Sequence, residues 1–161
     1  MTRFITITSG LITMSITAGL FSIAMLGLPE VDPKQQNCLA MNIYHEARSE
    51  RIEGQIAVAH VTMNRADHEK FPDTICDVVY QYKQFSWTFL VKDHTPKEKR
   101  AWDRAMVIAR DVMIGNTIDP SQGATFYHAN YVDPFWNKEK SLSVSKIIGL
   151  HVFYVWTGRW D

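Results

Sequence analysis

Apolar and polar positions divide the chain into an unbroken hydrophobic run, a helical middle and a strand-like end. No charged residue occurs from Phe4 to Leu28, and at ~1.5 Å per residue a helix of that length reaches across a ~30 Å hydrocarbon layer. Residues 29–36, with two prolines and mixed charges, read as a linker. Beyond it Asn37 is placed to cap a helix through "CLAMNIYHEA", where Leu39, Ile43 and Ala47 recur at every fourth position beside Cys38. Glu46 falls in its last turn.

The stretch "IEGQIAVAHVTMNRAD" predicts a second helix, with Ile56, Ala59, His60 and Met63 on one stripe that Val58, Val61 and Thr62 broaden. Such a wide apolar face implies deep burial. "FPDTICDVVYQ" predicts a short helix begun by Asp73 or Thr74 that carries Cys76 inward. The clearest signal is "TPKEKRAWDRAMVIARDVMIGN": Thr95 as N-cap, Pro96 in the first helical position, Glu98 completing a capping box and Gly115 as the stop. Ala101, Ala105, Ile108, Ala109 and Val112 form its buried stripe, and Lys97, Arg100, Arg104 and Arg110 its wet face.

After Gly115 the helical period disappears. "ATFYHA" and "LHVFYVW" have the aromatic and β-branched content of short strands, and "DPFW" lies in the loop between them. The expected fold is therefore α+β and mostly helical, with a small C-terminal β-sheet, preceded by one hydrophobic N-terminal helix. Its expected divisions are a signal peptide or signal anchor (1–28), a linker (29–36) and one folded domain (37–161).

Composition narrows the function classes. The 161 residues include 17 basic and 17 acidic side chains, so no net field draws the protein to nucleic acid. Five tryptophans and six tyrosines offer flat faces that suit a core or a sugar ring. Arg3 ahead of the hydrophobic run keeps the amino terminus inside and sends the chain beyond Pro29 outward, to the periplasm or the outer face of the inner membrane. The run itself can be a cleaved signal, a permanent anchor or an anchor that releases the domain. Cys38 and Cys76, the only cysteines, would then meet an oxidising compartment and pair as a disulfide, the alternative being two buried thiols.

The chemistry available is limited. In "NIYHEARSE" a zinc-protease helix would need a histidine where Ser49 stands, and the other histidines show no ligand spacing, so no metal or other cofactor is expected. No Gly-x-Ser-x-Gly elbow and no phosphate loop occur. What remains is a carboxylic acid. Glu46, at a helix end among Ile43, Tyr44 and Ala47, can be desolvated, which raises its pKa and lets it protonate a leaving sugar oxygen. A solvated surface glutamate is the competing reading.

The ordered stretches "CLAMNIYHEARSE", "GQIAVAHVTMNR", "FPDTICDVV", "QFSW", "ATFYHA" and "IIGLHVFY" resemble the cell-wall hydrolase family typified by the SleB spore-cortex lytic domain. The resemblance runs from about Cys38 to Tyr154. It implies a lysozyme-like domain that cuts the glycan strands of peptidoglycan, with Glu46, in "YHEAR", as the catalytic acid. The family commonly has glycine after "EAR", where this chain has Ser49.

An inverting or retaining hydrolase needs a second carboxylate. Glu50, Glu53, Asp77 and Asp133 are available but unmarked by any motif, and the family resemblance instead implies a lytic transglycosylase. Its single glutamate would cleave the MurNAc–GlcNAc bond and leave a 1,6-anhydro end. Substrate-binding candidates are Gln84, Ser86 and Trp87, then Thr125, Tyr127 and His128; Trp87 could stack on a pyranose, while Phe85 and Phe126 read as core. A monomer acting on glycan strands is expected, as a phage endolysin or a wall-remodelling enzyme. A water-dependent muramidase and a non-catalytic peptidoglycan-binding module are the alternatives.

Overall fold

A computed structural model describes residues 29–158. The hydrophobic N-terminal helix expected within residues 1–28, and with it the signal or anchor reading, lies outside them. Five helices come first: α1 (Pro33–Ala47), α2 (Ile52–Ala66), α3 (Ile75–Tyr80), α4 (Trp87–Leu90) and α5 (Lys99–Met113). Three strands complete the domain: β1 (Phe126–Ala129), β2 (Leu142–Ile148) and β3 (His151–Trp156), with a 3-10 turn at Phe135–Lys138 inside the "DPFW" loop. The antiparallel sheet has the order β1-β3-β2. Among the described residues no helix is long and apolar enough to cross a membrane.

Several helix boundaries differ from the sequence reading. α1 starts at Pro33, not after Asn37, because Asp32 accepts the Lys34 N–H at 2.8 Å as N-cap and the proline occupies the first turn, where a missing N–H costs nothing. The capping box at Thr95 does not form, and α5 begins only at Lys99. The buried Tyr44 hydroxyl instead accepts the Lys97 and Glu98 N–H groups, at 3.0 and 3.1 Å, while the Glu98 carboxylate takes Arg48 at 2.9 Å. Tertiary partners thus take the donor and the acceptor that the box would have joined. The buried stripe of α5 and its stop at Gly115, φ +75°, are as expected, although Arg104 is half-buried against Gln55 and the Arg48 carbonyl.

Strand β2 does not appear in the sequence pattern. A bulge between Val144 and Lys146 moves the alternation by one position, so its burial loses the period of two that marks a strand. In α2 the deepest stripe is Val58, Val61, Thr62 and Arg65, whereas Ile56, His60 and Met63 are only half-buried.

Two apolar clusters meet near the end of α1. One joins α1, α3 and α5 around Leu39, Ile43, Val78, Val79 and Ile108, with Phe85 and Trp87. The other sets Ala47, Val58 and Val61 against Ile148 and Phe153 of the sheet. Tyr127 packs on both. Cys38 and Cys76 form a disulfide that ties α1 to α3, and closing that loop stabilises the fold by about 3–4 kcal/mol on chain-entropy grounds. A buried polar bridge reinforces the helical cluster: Asn42 donates to the Thr62 hydroxyl at 3.1 Å and accepts the Trp87 indole N–H at 3.0 Å.

Candidate active site

Glu46 leaves the last turn of α1 at the junction of the two clusters. The turn after it is compact, with the Glu50 N–H donating to the Ala47 carbonyl at 2.9 Å. Ser49 suffices there, because the described non-glycine residues with positive φ are Lys83 and Gln122. Around the Glu46 carboxyl is a cavity of about 180 Å³ lined by Arg65, Gln84, Phe85, Ser86 and Tyr127. Two larger hollows adjoin it. One, of about 330 Å³, shares Gln84 and is walled by Phe71 and Phe126; the other, of about 500 Å³, shares Ser86 and is walled by Tyr44, His45 and Arg48. Glu46 therefore sits in a small cavity flanked by two larger hollows, each of which shares one wall residue with it.

The electrostatics suit an acid. Burial raises the Glu46 pKa above the ordinary carboxyl value, and a hydrogen bond from Tyr127 and the charge of Arg65 oppose that rise. The Tyr127 hydroxyl donates to Glu46 Oε2 at 3.1 Å. Burial and the neighbouring carboxylate hold the Tyr127 phenol well above its usual range, so it stays a donor.

Of the residues singled out from sequence, Glu46, Gln84, Ser86 and Tyr127 come together in this cavity. Gln84 and Ser86 are exposed on its rim while Phe85 between them is buried, in the turn that leads into α4, where Ser86 already has helical φ and ψ. Trp87 is placed differently. It borders the larger hollow beside Ser86, not the Glu46 cavity, and it is 4% exposed, with its indole donating to Asn42 and one ring face stacked on His45 at 4.4 Å, so little of the ring is open to a pyranose. Thr125 is buried, and its carbonyl accepts from Arg65 Nε at 2.7 Å. His128 is engaged on the far side of the strand: Nδ1 donates to the Ala129 carbonyl and Nε2 accepts the Tyr154 hydroxyl, both at 2.8 Å. Neither Thr125 nor His128 lines the Glu46 cavity.

Sequence reasoning missed Arg65. Its signal was present, since Val58, Val61, Thr62 and Arg65 keep helical spacing and put a cation on an apolar stripe. The candidate second carboxylates lie elsewhere. Glu50 turns towards His151, 4.0 Å away, and the Leu150 N–H, Asp77 caps α3 with Thr74, and Asp133 pairs with Lys138. Among the described residues lining the cavity Glu46 is the sole carboxyl. No group of three His, Cys, Asp or Glu among the described residues could hold a metal ion.

These features sit in a chain that belongs to the cell wall hydrolase family, whose profile matches residues 49–154, beginning just past Glu46. Among curated proteins it is similar to the spore cortex-lytic enzyme of Oceanobacillus iheyensis, with 33% identity over 109 residues, 63% of this chain and 37% of that protein. The spore cortex-lytic enzyme of Bacillus subtilis is 28% identical over 120 residues, 71% of this chain and 35% of that one. The chain thus spans little more than a third of these relatives' length. Among solved structures it resembles the catalytic domain of the germination-specific lytic transglycosylase SleB from Bacillus anthracis, with a TM-score of 0.60 and 26% identity, covering 76% of this chain and 95% of that one. The catalytic domain of Bacillus cereus SleB gives 0.59 and 25%, over 78% and 94%. The mostly helical fold with its small antiparallel sheet is the fold of these domains.

Proposed function

We propose that this chain degrades peptidoglycan as a lytic transglycosylase, with Glu46 as its single acid and base. The observation that carries the reading is a desolvated carboxyl in a small cavity flanked by two larger hollows, with no second carboxylate lining that cavity; Asp93 and Glu98 line the larger hollow, held by Lys97 and Arg48. Burial keeps Glu46 protonated to higher pH than a surface glutamate, as a general acid requires. A glycan strand lies through the two hollows, with Gln84 and Ser86 positioned to hydrogen-bond N-acetyl and hydroxyl groups. Glu46 gives its proton to the bridge oxygen as the MurNAc C1–O bond breaks. The C6 hydroxyl of the same sugar then attacks C1 and returns its proton to Glu46, which closes the 1,6-anhydro ring and restores the acid.

The similarity to the Bacillus anthracis SleB domain, a lytic transglycosylase by name, supports the same chemistry. A water-dependent muramidase would need a base or a nucleophile opposite Glu46. Mass spectrometry of digested glycan separates the two: anhydro-MurNAc ends are expected, and hydrated reducing ends in their place would overturn the transglycosylase. The Glu46→Gln variant is expected to leave cell walls uncleared; clearing at the parental rate would instead leave a binding module. The domain acts outside the cytoplasm as a monomer, delivered or tethered by residues 1–28. Cell fractionation with sequencing of the mature amino terminus tests this, since an intact chain confined to the soluble cytoplasm would refute it.

A further inference from the structure

We propose that Arg65 is a positioning residue for the Glu46 reaction, a cation fixed inside the protein that favours the carboxylate whenever Glu46 has released its proton, without pairing with it. This deepens the proposed function and rests on Glu46 being the acid.

Arg65 leaves the last turn of α2 and is 5% exposed. It lines the same cavity as Glu46, yet its Nε is anchored to the Thr125 carbonyl rather than to the carboxylate. Its guanidinium carbon lies 5.2 Å from the ring centre of Phe85, 5.4 Å from that of Phe71 and 5.7 Å from that of Phe126. Such faces compensate part of the lost hydration. Nη1 nonetheless is buried with no hydrogen-bond partner. Packing alone does not account for this arrangement, because a neutral side chain of similar volume would fill the space between three phenyl rings without the cost of burying a cation.

The charge is useful to Glu46 because it is offset. A bidentate arginine pair would hold the carboxyl ionised and end its role as an acid. A cation held back by a carbonyl leaves burial in control of the resting carboxyl, yet still stabilises the anion formed once the proton has gone. Each group tempers the other: Arg65 opposes the rise in the Glu46 pKa, and Glu46 helps keep Arg65 charged against burial, which lowers its pKa to about 10. The other titratable group facing the carboxylate is Tyr127 of β1, whose ring meets His151 of β3 edge-on. Gln84, Phe85 and Ser86 add none. On α1 itself, His45 is turned to Trp87 and the His94 carbonyl, and Arg48 to Glu98.

The test is the pH dependence of the initial clearing rate at low substrate in Arg65→Met and Arg65→Gln. Both remove the charge, and the glutamine amide can still donate to Thr125 if the methionine variant does not fold. The expected result is a rate lower by about tenfold or more, with the alkaline limb, where Glu46 loses its proton, moved to higher pH. Arg65→Lys should bring the limb back towards the parental position; a purely structural role would leave it where the neutral variants put it. A folded neutral variant with the parental rate and limb overturns the proposal. The Glu46→Gln control in the same assay separates the failures: if it clears walls, the reading of Glu46 falls; if it does not and neutral Arg65 variants are unchanged, only the role of Arg65 falls.

Discussion

The two ends of α1 face opposite environments. Beyond an exposed first turn, its amino-terminal half is sealed by apolar packing from Cys38 on, with Leu39 and Ala40 fully buried and Cys38 bonded to Cys76. Its last turn presents Glu46 to a cleft, against a phenol and a buried cation. One end tightens the molecule, and the other holds a carboxyl whose charged form burial disfavours. The contrast teaches that the carboxyl end depends on the rigid one, since a desolvated carboxyl keeps its geometry only if its helix cannot shift.

The largest effect is expected where the carboxyl end is changed. Glu46→Gln should lower activity by about 10²–10⁴-fold, the usual contribution of general acid catalysis, while the fold remains intact. The sign of the pH effect is fixed. The folded-state pKa of Glu46 is raised by burial, so the native state binds its proton more tightly than the unfolded chain, and stability falls as pH rises from the unfolded pKa through the folded one. Glu46→Gln should therefore be more stable than the parent at neutral pH and lose that advantage in acid, read by thermal melts across pH. A variant destabilised at every pH would show Glu46 to be a core residue like those at the other end.

Next comes the rigid end. Replacing both cysteines by alanine should remove about 3–4 kcal/mol, a drop in Tm of roughly 10–15 °C for a domain of this size. At a temperature where the variant stays folded, its rate should match the parent. A lost rate with a preserved fold would mean that the disulfide tunes the site and not only the frame.

The sequence disclosed some of this arrangement and hid the rest for identifiable reasons. The buried stripe of α5 was legible because it relies only on period and on Gly115. β2 was hidden by its bulge, and the start of α5 by Tyr44, a partner some fifty positions away in the chain. The same holds at the site. Glu46, Gln84 and Ser86, which line one cavity, were singled out through ordered short motifs, but the bond from Tyr127 and the place of Arg65 exist only once β1 and α2 pack against the last turn of α1. The burial of Trp87 and its bond to Asn42 could not be read either, because an exposed sugar platform and a buried indole look alike in one dimension.

That indole gives a smaller test between the two ends. Trp87→Phe keeps a ring against His45 but leaves the buried Asn42 carbonyl oxygen without its donor, at a cost of about 1–3 kcal/mol. Affinity for glycan should be unchanged when measured by co-sedimentation with purified walls. Loss of binding without loss of stability would make Trp87 a glycan-binding wall of the larger hollow.

The smallest effect concerns where α1 begins. Asp32→Ala removes the side chain that accepts the Lys34 N–H, and should lower stability by about 1 kcal/mol in denaturant melts. Asn37→Ala is its control, because Asn37 is an exposed residue inside the helix and alanine is the better helix former by a few tenths of a kcal/mol. If Asn37 were the cap, the two outcomes would be exchanged. Neither change should touch the rate, since the helix of 15 residues places its first turn about 20 Å from Glu46. A slower Asp32→Ala enzyme would show that fraying of the exposed first turn reaches the carboxyl through the sealed stretch between them, and would join the two environments that the helix otherwise keeps apart.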